Sequence, residues 1–276
     1  MEPRNLWIIA RKELRDAGRN RWLLLYGAAF AILSLALSWL GAPTFFTSGL
    51  AGFGRTTASL INLVLLLVPL IGLTLGALSL ASERDRGTLA CLLAQPVSLP
   101  EVLLGKFLGL SAALFVVLSI GFGVSGVAIA WFGGGGQVGD YLALVGLTFV
   151  LALAALSIGL LVSAAARSTA ASAGAALFCW LGLVVLGDLG IMASAITLKF
   201  GLATLLAAAL VNPLQVFKLA AVLAVRGGAD VLGPAGSYAM ARFGSALWPM
   251  LAAILAAWVV VPLVLAGALL RRRGAF

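Results

Sequence analysis

The densest charge in the sequence is Glu83-Arg84-Asp85-Arg86, followed by Gly87-Thr88-Leu89 and by Leu92-Leu93. Carboxylates and guanidiniums in alternation pair along a helix or meet the polar groove of another protein. They do not activate a nucleophile here, because the chain has no histidine. With histidine go the commonest metal ligand, the commonest general base and every Ser-His or Cys-His dyad. Cys91 and Cys179 stand far apart, one in a charged segment and one in an apolar run, which makes a disulfide framework unexpected. Asp188 is a lone acid within an apolar run, so paired carboxylates for acid–base work are missing as well. Gly133–Gly136 resembles a phosphate loop only superficially. No GxxxxGK[ST] occurs, and Gly105-Lys106 is followed by Phe107. The sequence therefore offers no catalytic residue, no metal site and no cofactor of its own. ATP and Mg, if they drive this protein, belong to a partner chain.

The elements that carry these residues follow from composition. Of 276 residues, 63% are hydrophobic and 10% charged, against roughly 25% charged in a soluble domain. A soluble enzyme, a disordered chain and a disulfide scaffold are excluded. Six segments are long and apolar enough to cross a bilayer as helices: 22–40, 59–81, 107–132, 141–165, 171–193 and 247–270. Pro69 and Pro262 predict kinks. Six spans place both termini on one side. Thirteen of the 18 Lys and Arg fall in 1–21, 82–106, 166–170 and 271–276. Positive-inside logic puts those segments in the cytoplasm, in a multi-pass protein of the inner membrane. The net charge of +9 is then mostly a topology signal rather than a nucleic-acid footprint. The region before the first span is long and carries acids, which fits an uncleaved anchor.

Between the spans, residues 4–20 read as an amphipathic helix. Leu6, Ile9, Ala10, Leu14 and Ala17 share one face, and Arg4, Arg11, Arg15 and Arg19 the other, with Lys12 beside them. Such a helix suits the headgroup layer, apolar face down. In 82–106, Leu89, Leu92 and Leu93 give a short helix an apolar face, and Pro96 stops it. Ser98 and Glu101 have capping-box spacing, so a new helix starts there and continues through Lys106 into the third span. In 194–246, residues 200–210 and 217–225 are apolar but short, and Asn212-Pro213 breaks between them, which predicts re-entrant helices. Asp188 is an intramembrane candidate that could pair with Lys199 or Arg242, or reach the headgroups. Trp7, Trp22, Trp39, Trp131 and Trp248 suit interfaces. Gly105, Gly109, Gly121, Gly159 and Gly174 suit close helix packing. A secondary transporter needs ionisable groups near the midplane, and only the off-centre Asp188 is available.

Two stretches together resemble a known family. Ile9-Ala10-Arg11-Lys12-Glu13-Leu14-Arg15, followed by Arg19-Asn20-Arg21, resembles the N-terminal elbow of ABC-2 type transporter permeases. The run from Glu83 to Leu89, with Leu92-Leu93, Pro96-Val97-Ser98 and Leu103-Leu104-Gly105-Lys106, resembles their cytoplasmic coupling segment. The resemblance implies one transmembrane domain over 1–276, all-α, with an elbow (1–21), a coupling segment (82–106) and an outer re-entrant segment (194–246). It also implies a dimer of permeases, each resting on a cytoplasmic ABC ATPase. Glu83, Arg84, Arg86, Gly87, Thr88, Leu89, Leu92 and Leu93 would contact that ATPase, and Arg11, Lys12, Arg15 and Arg19 the membrane surface. Lys106-Phe107, Ile120-Gly121-Phe122-Gly123, Asp188, the run Asn212–Leu219 with Pro213 and Phe217, and Arg271–Arg273 resemble one branch of the family. That branch serves copper-site maturation of nitrous oxide reductase with a periplasmic partner. Without histidine, and with four methionines, this chain has few soft ligands for a copper path. Drug, lipid or polysaccharide export is the other expectation.

Overall fold

The computed structural model describes residues 2–48, 50–93, 95, 97–131, 138–197, 202–224 and 239–273, with side chains outside 41–56, 90–91, 93, 188–197, 202 and 273. Every regular element among them is helical. In chain order these are α1 (Pro3–Gly18), α2 (Arg21–Ser48), α3 (Leu50–Asp85), α4 (Thr88–Leu93) and α5 (Leu99–Trp131). There follow α6 (Val138–Ala165), α7 (Thr169–Thr197), α8 (Leu202–Val211), α9 (Pro213–Ala224) and α10 (Leu247–Arg273). Six helices are long and apolar enough to span: α2, α3, α5, α6, α7 and α10, the last with residues from Ala239 onward. The protein is an all-α, multi-pass membrane protein. The main departure from expectation is length. Residues 41–58 read as an outer connection, yet α2 runs to Ser48 and α3 begins at Leu50. Hydropathy marks only the apolar window, whereas an established helix gains a hydrogen bond for each residue it adds.

The spine is the pair α3–α6, whose backbones touch. A Cβ at Gly76 would lie 2.5 Å from the Leu156 carbonyl oxygen, and one at Gly159 2.5 Å from that of Leu73. Small residues let helices approach this closely where lipid offers no hydrophobic drive. Ser163 of α6 accepts hydrogen bonds from the Leu80 and Ala81 amides at 3.1 and 2.9 Å. Ser172 of α7 donates to the Ala77 carbonyl at 2.6 Å. Pro69 interrupts the ladder of α3, and the Trp180 indole of α7 donates to the nearby Leu66 carbonyl at 3.0 Å.

The other helices pack around this spine. α2 lies against both α3 and α5, and α10 lies along α6. Gly121 of α5 lets Phe30 of α2 approach, and Phe30 meets Phe122 edge-on at 5.2 Å. Gly105 and Gly109 admit α1 onto α5. Gly174 belongs with none of these, since nothing lies within 4 Å of where its Cβ would be. α8 and α9 bend by 109° at Asn212, a re-entrant pair or a broken span. Trp7, Trp22, Trp39, Trp131 and Trp248 are all exposed.

Candidate functional site

The site is the charged end of α3. Gly87, with φ of +71°, closes the helix in the left-handed conformation that favours glycine. Just before it, three consecutive charges each grip a different part of the bundle. Glu83 reaches α1 and α5. Its Oε1 accepts from Lys12 Nζ at 2.7 Å, and its Oε2 lies 2.9 Å from Lys106 Nζ. Arg84 donates to the Ala166 carbonyl at 2.6 Å and more weakly to that of Ser163 at 3.4 Å, covering orphan carbonyls at the end of α6. Asp85 accepts from the Thr169 amide at 2.7 Å, an orphan donor at the start of α7. The guanidinium stands at a helix C-terminus and the carboxylate at an N-terminus, as the two helix dipoles favour.

The centre of the cluster is Lys106, a fully buried lysine with 1% of its surface exposed. It donates to Glu13 Oε1 at 2.8 Å and pairs with Glu83. Lys12 completes the group from the rim, 3.5 Å from Glu13 and 4.0 Å from Asp16. Two ammonium groups thus face two buried or half-buried carboxylates, which leaves no net charge inside. Partial burial draws the Lys12 ammonium down. Its hydrogen bond to Glu83 and the charges of Glu83, Glu13 and Asp16 outweigh that effect and hold it above the ordinary lysine value.

The expected apolar face of α1 is the face that meets protein. Ile9, Ala10, Glu13 and Ala17 are buried, against Gly105 and Gly109 of α5. The expectation that this face rests in lipid does not hold for these residues. Arg11, Lys12, Arg15 and Arg19 remain exposed on the other sides. The start of α5 follows its capping signals. Glu101 accepts from the Ser98 amide at 3.0 Å and from the Glu2 amide at 2.8 Å, so the same carboxylate also anchors the start of α1.

Of the residues read as partner contacts, Arg86, Gly87 and Thr88 are exposed, and Leu92 is half-buried. Leu89 is buried in the main core, and Glu83 and Arg84 are engaged as above. Those three side chains hold the segment from inside. The side chain of Leu93 lies outside the described residues, as do those of Asp188 and Lys199, so the proposed pairing of Asp188 falls there too. Arg242 is exposed. In the outer segment, Asn212 donates to the Leu183 carbonyl of α7 at 2.7 Å and accepts from the Leu214 amide at 2.9 Å. Pro213 and Phe217 are buried. Sequence reasoning missed the pairing of Glu13 with Lys106. The available signal was an acid in the middle of the apolar stripe of α1, four residues from both Ile9 and Ala17.

Known proteins match this arrangement along nearly its whole length. The family model described as ABC-2 family transporter protein matches residues 7–275. The chain is 34% identical over 278 aligned residues to "Probable ABC transporter permease protein NosY" of Stutzerimonas stutzeri, covering 97% of this chain and 98% of the relative. A protein of the same name from Pseudomonas aeruginosa matches with the same identity and coverage.

Proposed function

The chain belongs to the ABC-2 family of transporter permeases, and from that premise we propose that the end of α3 receives the stroke of a separate cytoplasmic ABC ATPase. The observation that supports this is the threefold grip of Glu83, Arg84 and Asp85 on α1 and α5, on α6, and on α7. A force on α4 acts through the buried Leu89 and this hub, so it reaches five helices at once. The outward surface for the ATPase is Arg86, Gly87 and Thr88, with Leu92 at its edge. The protein acts as a pair of identical subunits in the inner membrane, both termini in the cytoplasm. ATP and Mg are held by the ATPase and not by this chain.

The likeness to the NosY permeases supports a narrower reading. The ATPase is NosF-like, a NosD-like periplasmic protein sits on the outer face near α8 and α9, and the complex serves copper-site maturation of nitrous oxide reductase. The chain transmits conformational work rather than conducting copper. Co-expression with the neighbouring ATPase tests the coupling surface. Arg86→Glu combined with Leu92→Asp should abolish co-purification of the ATPase. Glu83→Gln should leave the ATPase bound while weakening the link between hydrolysis and the permease. Retention of the ATPase by the outward double variant would overturn the assignment. Recovery of an ATPase without a periplasmic partner would favour export of a drug, lipid or polysaccharide.

A further inference from the structure

A second feature adjoins the hub and shares Glu83 and Arg86 with it. Between α2, α3 and α7 lies an apolar slot of about 310 Å³, walled by Trp22, Tyr26, Ile71, Leu75 and Leu177. A wider cleft of about 620 Å³ adjoins it and shares Asn20, Trp22, Leu75 and Leu78 with it. The wider part is more polar than the slot. Glu13 and Glu83 line it, but Lys106 and Lys12 already match their charge. Asp16 stands beside Lys12. Arg19 and Arg86 also line it and have no ion-pair partner among the described residues. The Ser79 hydroxyl, on the same wall, is buried without a hydrogen-bond partner among the described residues.

We propose that this compartment binds one glycerophospholipid with an anionic headgroup, its phosphate between Arg19 and Arg86 and one acyl chain in the slot. The ligand must be amphiphilic. A free anion would satisfy the guanidiniums but make no contact with the apolar walls of the slot, which opens to the surroundings. A purely apolar chain would leave unmatched the surplus positive charge of the cleft, where the exposed Arg19 and Arg86 stand against Asp16. Guanidinium suits phosphate because its fork of donors matches the oxygens. Trp22 stands where slot and cleft meet, and Tyr26 lies beside it in the slot, with ring centroids 6.2 Å apart. Amphipathic rings of that kind mark headgroup level, and anionic lipid is the attracted species next to basic segments.

The test is native mass spectrometry of the full chain released from nanodiscs. The discs hold equal parts phosphatidylglycerol and phosphatidylcholine with identical acyl chains. The expected result is one retained phosphatidylglycerol per chain. Arg19→Ala with Arg86→Ala should lower retention about tenfold, the scale of losing charge-assisted phosphate contacts. Ala173→Phe, which fills the slot and keeps both arginines, should lower it as far. The two variants act at opposite ends, so misfolding of one, seen as a lost melting transition, leaves the other decisive. Arg4→Ala with Arg11→Ala removes the same charge elsewhere on α1 and should change nothing. Equal retention of the two lipids, detergent alone in the slot, no effect of Ala173→Phe, or an equal loss in the Arg4/Arg11 variant would each overturn the proposal.

Discussion

At the scale of single residues, Lys106 carries the greatest consequence. A buried ammonium is costly to desolvate, and two carboxylates repay that cost only while both remain in place. Lys106→Met should therefore destabilise the protein by about 3–5 kcal/mol, the scale of breaking a buried ion pair from one side. Combining it with Glu13→Gln should cost less than the two single changes added together, which thermal unfolding in detergent would show as a double-mutant cycle. Lys12 supplies a pH signature. Its value is raised in the folded protein, so its contribution is complete below the ordinary lysine value of 10.5 and is lost as pH rises through the raised one. The difference in melting temperature between wild type and Lys12→Met should be constant from about pH 7 to about pH 10 and shrink above that. A difference that shrinks on acidification instead would refute the assignment. These residues were only half legible in the sequence. Glu83 stood out because it sits in a charge run, whereas Lys106 is a lone charge and Glu13 one of several charges between Arg11 and Asp16, and the two lie 93 residues apart in the chain. Spacing reveals neighbours on one helix and not the helix that faces it.

At the scale of elements, what could be read from spacing was read well. The capping signals at Ser98 and Glu101 are local, and the structure shows the Glu101 carboxylate accepting from the Ser98 amide as that box requires. Glu101→Ala should unpin the first turn of α5, and hydrogen exchange should show faster exchange of the amides at Glu2 and Ser98. Helix contacts were less legible, because a glycine within an apolar run does not say which way it points. Gly159 and Gly174 look alike in sequence, yet one touches α3 and the other meets nothing. Gly159→Ala should force α3 and α6 apart and cost about 1–3 kcal/mol, as overpacking does. Gly174→Ala should be neutral, or stabilise by up to about 1 kcal/mol through helix propensity. Equal effects from the two would mean that the α3–α6 contact is not backbone on backbone. The bend at Asn212 was legible from Asn-Pro. Its hydrogen bond to the Leu183 carbonyl was not, since it depends on how the re-entrant pair meets α7.

At the scale of the whole molecule, the count of six spans followed from hydropathy alone, because lipid leaves the backbone no alternative to helices. Sidedness rests on the distribution of basic residues. Single cysteines placed at Thr88 and Arg272, in a chain freed of Cys91 and Cys179, should react with an impermeant thiol reagent only after the cytoplasmic face is opened. A cysteine at Met240 should react in intact spheroplasts. The reverse pattern would invert the protein and with it the ATPase surface.

The ion cluster also dictates an order of biosynthesis. Glu13 is translated 93 residues before its counter-ion Lys106, which lies at the entrance of the third span, with Glu83 at the exit of the second. Until the ribosome has delivered Lys106, α1 has no seat. The N-terminal helix must wait at the membrane surface while two spans insert. Its docking then marks completion of the first half of the bundle. Nascent chains stalled before residue 106 should leave α1 open to protease, and chains stalled well beyond it should protect α1, which makes docking of the N-terminus a natural checkpoint for assembly.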